Sequence, residues 1–380
     1  MLLDNKKIAI VGAGPGGLTL ARLLQMQGAD VKVYERDFNK EVRVQGATLD
    51  LHEESGLKAL EEAGLMDAFN KNYRPGADKM RLVDKHANIL MDDSANDTQN
   101  ISRPEIDRGP LRKILLESLQ EGTVVWDSHF ISLSRTNEFC KLEFKNKKSV
   151  TADLVIAADG ANSKIRHYIT SIKPFFAGIT VVEGAVHDSA INAPKIHQLL
   201  NGGKIFALGD AKTLIVSSKG DGSLVFYTGS NTDENFVHDS KINFNDKVQV
   251  TEWFKKAFAG WDDIWLELFE NADSAFIPRP QYCMPLDQTW DARPDITILG
   301  DAAHLMPPYA GEGVNMAMLD ALELYECLTD PSFDNIQSAI VAYEKKMLAR
   351  FAEIGKITLA QTASMHSENG LDDMLKMFSQ

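Results

Sequence analysis

The chain has 380 residues, 44% of them hydrophobic and 25% charged, with a formal net charge of -14 at pH 7 and a pI near 5.1. That length exceeds a single hydrophobic core and predicts two joined domains, while the negative charge, with no run of Lys or Arg, argues against nucleic acid and anionic membranes as partners. The opening residues MLLDNKKIAIVGAG carry too short an apolar stretch for a secretory signal and no segment approaches a membrane span, so cytoplasm is the expected compartment. A monomer is the expected state.

Residues 7–11, KIAIV, read as a buried strand that ends at glycine. An apolar-periodic helix follows through Leu18, Ala21, Leu23 and Leu24 and stops near Gly28, and VKVYE is the next strand. The unit is strand, helix, strand, with Gly12, Gly14 and Gly17 spelling G-x-G-x-x-G at the first turn, where absent side chains let a pyrophosphate reach backbone N–H groups and the positive helix end. Glu35 closes the second strand 21 positions after Gly14, where a carboxylate accepts the ribose hydroxyls of an adenosine. This pattern predicts dinucleotide binding but does not separate NAD from FAD.

Farther on, DDSANDTQN at 92–100 is a polar loop, and ADLVIAADG at 152–160 is a buried strand ending at Asp159 and Gly160. Taken alone, that Asp-Gly pair is a tight turn; its place after a buried run favours a functional role. From about 173 to 280 the texture changes to short alternating runs between Gly, Asn and Asp turns, which predicts an antiparallel sheet. WDDIW at 261–265 reads as an amphipathic helix face. DITILGDAA at 295–303 is a second late strand, and beyond Pro331 the positions Ile336, Ile340, Tyr343, Met347, Phe351 and Ile354 predict a long amphipathic helix.

GDAAHLMPPYAGEGVNMAMLDA at 300–321 is the most informative stretch. A strand delivers Gly300 and Asp301, whose carboxylate suits a polyol hydroxyl, and a Pro307-Pro308 loop leads through Gly311 and Gly313 into a helix beginning near Val314 and Asn315. The helix entry offers N–H groups and partial positive charge to an anion such as reduced flavin. An NAD dehydrogenase has no need of this second polar cradle so late in the chain. The cysteines Cys140, Cys283 and Cys327 form no Cys-x-x-Cys pair, which disfavours the flavoprotein disulfide reductases.

GAGPGGL, DLVIAADGANSKIR and ILGDAAHLMPPYAGEGVN, in that order, resemble the group A flavoprotein hydroxylases, the para-hydroxybenzoate hydroxylase family, over nearly the whole chain. The resemblance implies an α/β fold: a discontinuous Rossmann-like FAD-binding domain (1–75, 101–172 and 281–330), an inserted antiparallel β-sheet substrate domain (76–100 and 173–280) and a long C-terminal helical element (331–380). More narrowly, VYERD, GATLDLH, PEID-R-GPLR-ILL and the late motif are similar to the TetX-type tetracycline destructases. That likeness implies Glu35 and Arg36 at the adenosine, Arg43 and Asp50 at the flavin or nicotinamide region, and Arg108 and Arg112 at the FAD phosphates or ribityl chain. It places Asp301, Pro308 and Gly311 around the ribityl and isoalloxazine. Read without it, Arg108 and Arg112 are a solvated helix face.

The resemblance departs at the substrate. Glu183 lines up where the destructases carry a glutamine, Lys204 where they carry an arginine and Val225 where they carry a histidine, and Asp159 stands where the best-known destructase has asparagine. A carboxylate cannot donate as an amide does, and Lys lacks the Arg fork. Glu183 and Lys204 read equally well as an exposed ion pair on the sheet; Tyr309 reads as a substrate neighbour or a packing aromatic, and His304 as structural. The implied activity is FAD- and NAD(P)H-dependent hydroxylation of a polycyclic, electron-rich molecule by O2 through a flavin C4a-hydroperoxide, with no catalytic acid or base assigned and no metal expected. Tetracyclines lead the candidate substrates. The alternatives are other aromatic or polyketide substrates, ligand sequestration without turnover, a plain NAD dehydrogenase, and a flavin halogenase, whose Trp-x-Trp-x-Ile-Pro signature is missing.

Overall fold

Leu154–Ala157 reads LVIA with every residue buried, the mark of a strand covered on both faces. In the computed structural model, which describes residues 2–42, 46, 48–93, 103–136, 139–146 and 148–378, this strand is second in a parallel five-stranded sheet. The order is Ile296–Ile298, Leu154–Ala157, Lys7–Val11, Asp30–Tyr34, Val124–Val125. The helix Pro15–Met26 leaves the first strand and packs on the helix Gly313–Thr329. Gly16 permits this approach: a Cβ there would sit 2.6 Å from the Ala317 carbonyl oxygen. A three-stranded antiparallel sheet, Phe130–Arg135, Cys140–Phe144 and Ser149–Ala152, extends this half; its middle strand, CKLEF, alternates apolar and polar and buries Cys140, Leu142 and Phe144.

The other half is a seven-stranded sheet in the order Ile277–Cys283, Phe175–Val186, Leu224–Asn231, Lys212–Ser218, Lys204–Gly209, Met80–Asp84, Ile89–Asp92. Every neighbouring pair is antiparallel except Lys204–Gly209 with Met80–Asp84, which is parallel. One face carries Val182, Val186, Leu214, Val216 and Phe226 into an aromatic core with Phe254, Trp265 and Phe269. The WDDIW segment differs from its amphipathic-helix reading. Asp262 accepts a hydrogen bond from Ile264 N and starts a 3-10 turn, Asp263–Trp265, that leads into the helix Leu266–Glu270, so both tryptophans are buried around a helix entry. Of the polar loop at 92–100, residues 94–100 lie outside the described residues.

The C-terminal helix Ile336–Met365 is capped by Asn335, whose side chain accepts from Ser338 N, and it buries Ile340, Tyr343, Met347 and Phe351. The Tyr343 hydroxyl donates to the Ile298 carbonyl at 2.9 Å and ties the helix to the parallel sheet. A last helix, Gly370–Phe378, turns back so that Met374 packs with Leu82, Leu208 and Met365 on the other face of the seven-stranded sheet. Among the described residues no helix is long and apolar enough to cross a membrane.

Candidate active site

The first turn is built from missing side chains. Gly12 has φ +112°, and a Cβ there would lie 2.2 Å from the Ala158 carbonyl oxygen; at Gly17 it would lie 2.2 Å from the Gly12 oxygen. Gly14, at the N-cap of the following helix with Pro15 at its first position, faces open space. Glu35 is 2% exposed and buttresses this turn, accepting from Ala13 N at 2.6 Å and from Asp37 N at 3.0 Å. Arg36 beside it is exposed. Arg112 is neither a solvated helix residue nor turned outward: it donates to the Lys40 carbonyl at 2.7 Å and to Asp37 at 3.3 Å, over the Trp126 ring. Arg43 lies outside the described residues.

The two late strands end side by side. Asp159 accepts from Lys164 N at 2.8 Å, while its Oδ1 is buried with no hydrogen-bond partner among the described residues, and burial pushes its pKa up. Gly160 has φ +79°, and a Cβ there would meet open space. Arg166 joins this turn to the next, donating to the carbonyls of Ala161, Asp301 and Ala302. At the second turn Gly300 has φ +61°, and its N–H donates to the fully buried Asp320 at 2.8 Å. Asp320 also takes His304 at 2.6 Å and Arg350 at 2.5 Å, so His304 is buried inside the scaffold. Burial raises the pKa of Asp301 against the opposing charges of His304, Arg108 and Arg166, and Arg108 itself is exposed.

The loop from Pro308 to Gly313 reaches both halves. Gly311, at φ +72°, packs on Asp50: a Cβ would be 3.3 Å from its Oδ1. Burial would raise the Asp50 pKa, but the hydrogen bond from His52 and the charge of Lys204 outweigh it and the net shift is downward. Asn315 is fully buried and spends its amide on the protein, accepting from His52 N at 2.9 Å and donating to the Asp50 carbonyl at 2.9 Å. What the helix entry leaves for a ligand is backbone N–H at Gly313, Val314 and Asn315.

Strand register puts the remaining candidates on one inner face of the seven-stranded sheet. Ala185, Val225, Ser217, Lys204 and Met80 form one cross-strand row, and Glu183, Tyr227, Ile215, Phe206 and Leu82 the next. Glu183 and Lys204 are not each other's partners: Glu183 accepts from Arg279 at 2.7 Å, and the Lys204 ammonium holds Glu105, which pairs across strands with Asp50. Both carboxylates are buried, so neither pair is the exposed one that residue type alone suggested. Val225 is buried, and Tyr309 packs with Phe206 and Ile215, its hydroxyl 3.2 Å from His366 Nε2. Gly229 makes room for this meeting, since a Cβ there would lie 2.5 Å or less from His366, Thr213 and Tyr309. Arg279 and His366 carry no local sequence signal, since they meet Glu183 and Tyr309 from 96 and 57 residues away, whereas Asp320 lies in the same 300–321 stretch as its partners Gly300 and His304.

A glycine-lined helix entry backed by an acidic strand end, joined to a second polar strand end and helix entry, is the frame of a dinucleotide-binding fold, and the family match with its monooxygenase relatives makes the chain an FAD-dependent monooxygenase. The chain belongs to the FAD binding domain family of para-hydroxybenzoate hydroxylase type, which it matches over residues 5–255 and 290–353. It is 29% identical over 433 aligned residues to the monooxygenase asqM of Emericella nidulans, covering 96% of this chain and 97% of that one. Klebsiella pneumoniae HpxO, solved with FAD and uric acid, superposes with a TM-score of 0.77 at 20% identity, over 98% of this chain and 92% of HpxO. The tetracycline destructase Tet(51) superposes with a TM-score of 0.71 at 18% identity, over 98% and 97%. These two likenesses concern the fold.

Proposed function

We propose that this monooxygenase hydroxylates a polycyclic, electron-rich small molecule with electrons from NAD(P)H and oxygen from O2, a tetracycline being the first candidate. The observation that carries the reading is the inner sheet face, where partly exposed Phe206, Ile215 and Tyr227 lie between Lys204 and the Glu183–Arg279 pair. An apolar ring system can rest on such a wall with its oxygens at the charged ends. The loop over this face runs from Tyr309, against Gly229, to Gly311, against Asp50.

The open space at Gly14 and Gly160 and the unsatisfied Asp159 carboxylate fit FAD. In this reading Gly12, Gly14 and Gly17 cradle the pyrophosphate, Glu35 and Arg36 address the adenosine, and Arg108, Asp159, Gly160 and Asp301 the phosphates and ribityl hydroxyls. Backbone N–H groups at Gly313, Val314 and Asn315, with Asp50, Pro308 and Gly311 alongside, would hold the flavin ring and supply partial positive charge to it. Bound there, FAD supplies two-electron reduction and the activation of dioxygen. The chain itself places the substrate, keeps the flavin edge positive and excludes water. Arg112 and Asn315, whose side chains hold protein, serve the site by fixing the loop at 37–40 and the segment at 50–55. The domain division drawn from the sequence follows the same reading, with 1–75, 101–172 and 281–330 holding the cofactor.

The test is aerobic NADPH oxidation by the FAD-loaded protein with and without tetracycline, with mass analysis of the products. A tetracycline gaining one oxygen supports the full reading. Stimulated oxidation with the drug unchanged moves the substrate to other polycyclic phenols or enols. Tight binding without oxidation would make the protein a sequestering flavoprotein and overturn the proposal.

A further inference from the structure

The Glu183–Arg279 pair is turned in an unusual way for an ion pair that serves stability alone. Val181, Arg279 and Gly229 share a cross-strand row, so the Arg279 side chain stands on the inner face, about 10 Å across two strands from the glycine that the Tyr309 hydroxyl touches. Glu183 is buried with 10% of its side chain exposed, whereas the Arg279 side chain is 51% exposed. The carboxylate takes Nε at 2.7 Å rather than the two-pronged end of the guanidinium. Among the described residues no hydrogen bond occupies Nη1 or Nη2 of Arg279, whereas Arg74, Arg81, Arg112, Arg166 and Arg350 each place an Nη on a protein oxygen.

We propose that Arg279 is a specificity-determining residue whose free Nη pair takes two neighbouring, charge-sharing oxygens of the substrate, a carboxylate or an enolised β-dicarbonyl, and that Glu183 is the positioning residue that aims it. The proposal rests on the inner face being the substrate wall. Side-on engagement by Glu183 fixes the guanidinium plane and leaves two parallel N–H donors pointing past it. Because the pair is neutral overall, selection comes from donor geometry: two acceptors side by side satisfy the fork, and an amide, which offers one acceptor and one donor, opposes an N–H with an N–H. Partly exposed Tyr227, the cross-strand neighbour of Glu183, offers an aromatic surface for the ring that carries these oxygens.

The experiment titrates the FAD-loaded protein with 1-hydroxy-2-naphthoate and with its carboxamide, following the flavin absorbance change, and measures NADPH oxidation and product mass separately. The carboxylate should bind at least about tenfold more tightly than the carboxamide, as charged hydrogen bonds predict. Arg279→Lys, which keeps the charge and loses the fork, should lose most of that preference. Arg279→Gln combined with Glu183→Gln strands no buried charge and should bind the two probes alike, with an unchanged melting temperature verifying the fold. Equal binding by the wild type, binding of neither probe, or a preference that survives in both variants would overturn the proposal. A preference present in the wild type and lost in the variants, with no oxygenated product from any substrate, would keep Arg279 as the fork and refute the monooxygenase substrate reading instead.

Discussion

Asp320→Asn should cost about 3–5 kcal/mol of folding stability and loosen FAD, because it breaks a buried charge cluster beneath the Gly300–Asp301 turn. One Asp320 oxygen accepts from Gly300 N at 2.8 Å and His304 at 2.6 Å, and the other from Arg350 at 2.5 Å. An asparagine has one acceptor oxygen, so its amide nitrogen must face an N–H on one side, and the lost charge-assisted bond is worth about 1.5–3 kcal/mol before the stranded cation is counted. Burial pushes the Asp320 pKa up, but the charges of His304 and Arg350 and the Gly300 N–H outweigh it and hold it below the ordinary value. A carboxyl depressed in the folded state contributes stability that is present above the unfolded pKa, about 3.9, and is lost as pH falls through the folded one. The wild type should therefore lose this advantage over the variant only on the acid side. Urea unfolding at pH 7 and in steps below pH 5, with flavin absorbance per polypeptide after gel filtration, measures both effects. A variant within about 1 kcal/mol of wild type at pH 7 that retains its FAD would refute the reasoning.

Three other outcomes follow from buried groups elsewhere. Glu344 accepts from Trp290 Nε1 and Thr297 Oγ1, and burial pushes its pKa up to about 7. That raised pKa makes stability fall as pH climbs from the unfolded carboxyl range through about 7, so Glu344→Gln should remove the decline and equal or exceed wild type at pH 8 in urea midpoints. Gly229→Ala should destabilise by about 1–3 kcal/mol in thermal or urea unfolding, since the methyl displaces Tyr309, Thr213 and His366 together. Lys204→Met leaves Glu105 buried without its cation and should cost about 3–5 kcal/mol at pH 8, a loss that shrinks at pH 5 as Glu105, whose pKa burial raises, takes up a proton.

What the amino-acid sequence settles here is local. The KIAIV strand, the glycine turn at 12–17, the acidic strand end at Glu35, the Gly300–Asp301 strand end and the long helix from Ile336 are legible because their signals sit within one or two turns of chain, where periodicity and glycine spacing act. The polar partnerships were not legible. Asn315 reaches back to residues 50–52, Arg166 spans to Asp301, Lys204 to Glu105 and Arg279 to Glu183, separations of 96 to 265 residues. A charged or amide residue looks the same in sequence whether it meets water, a ligand or a buried partner. Which of these holds is decided when burial makes an unsatisfied polar group costly and the fold must bring it a partner. Hence the strand-turn-helix elements could be read from spacing, while the partners of Glu183, Lys204, Arg112 and Asn315 depended on which strands and helices came to lie beside them.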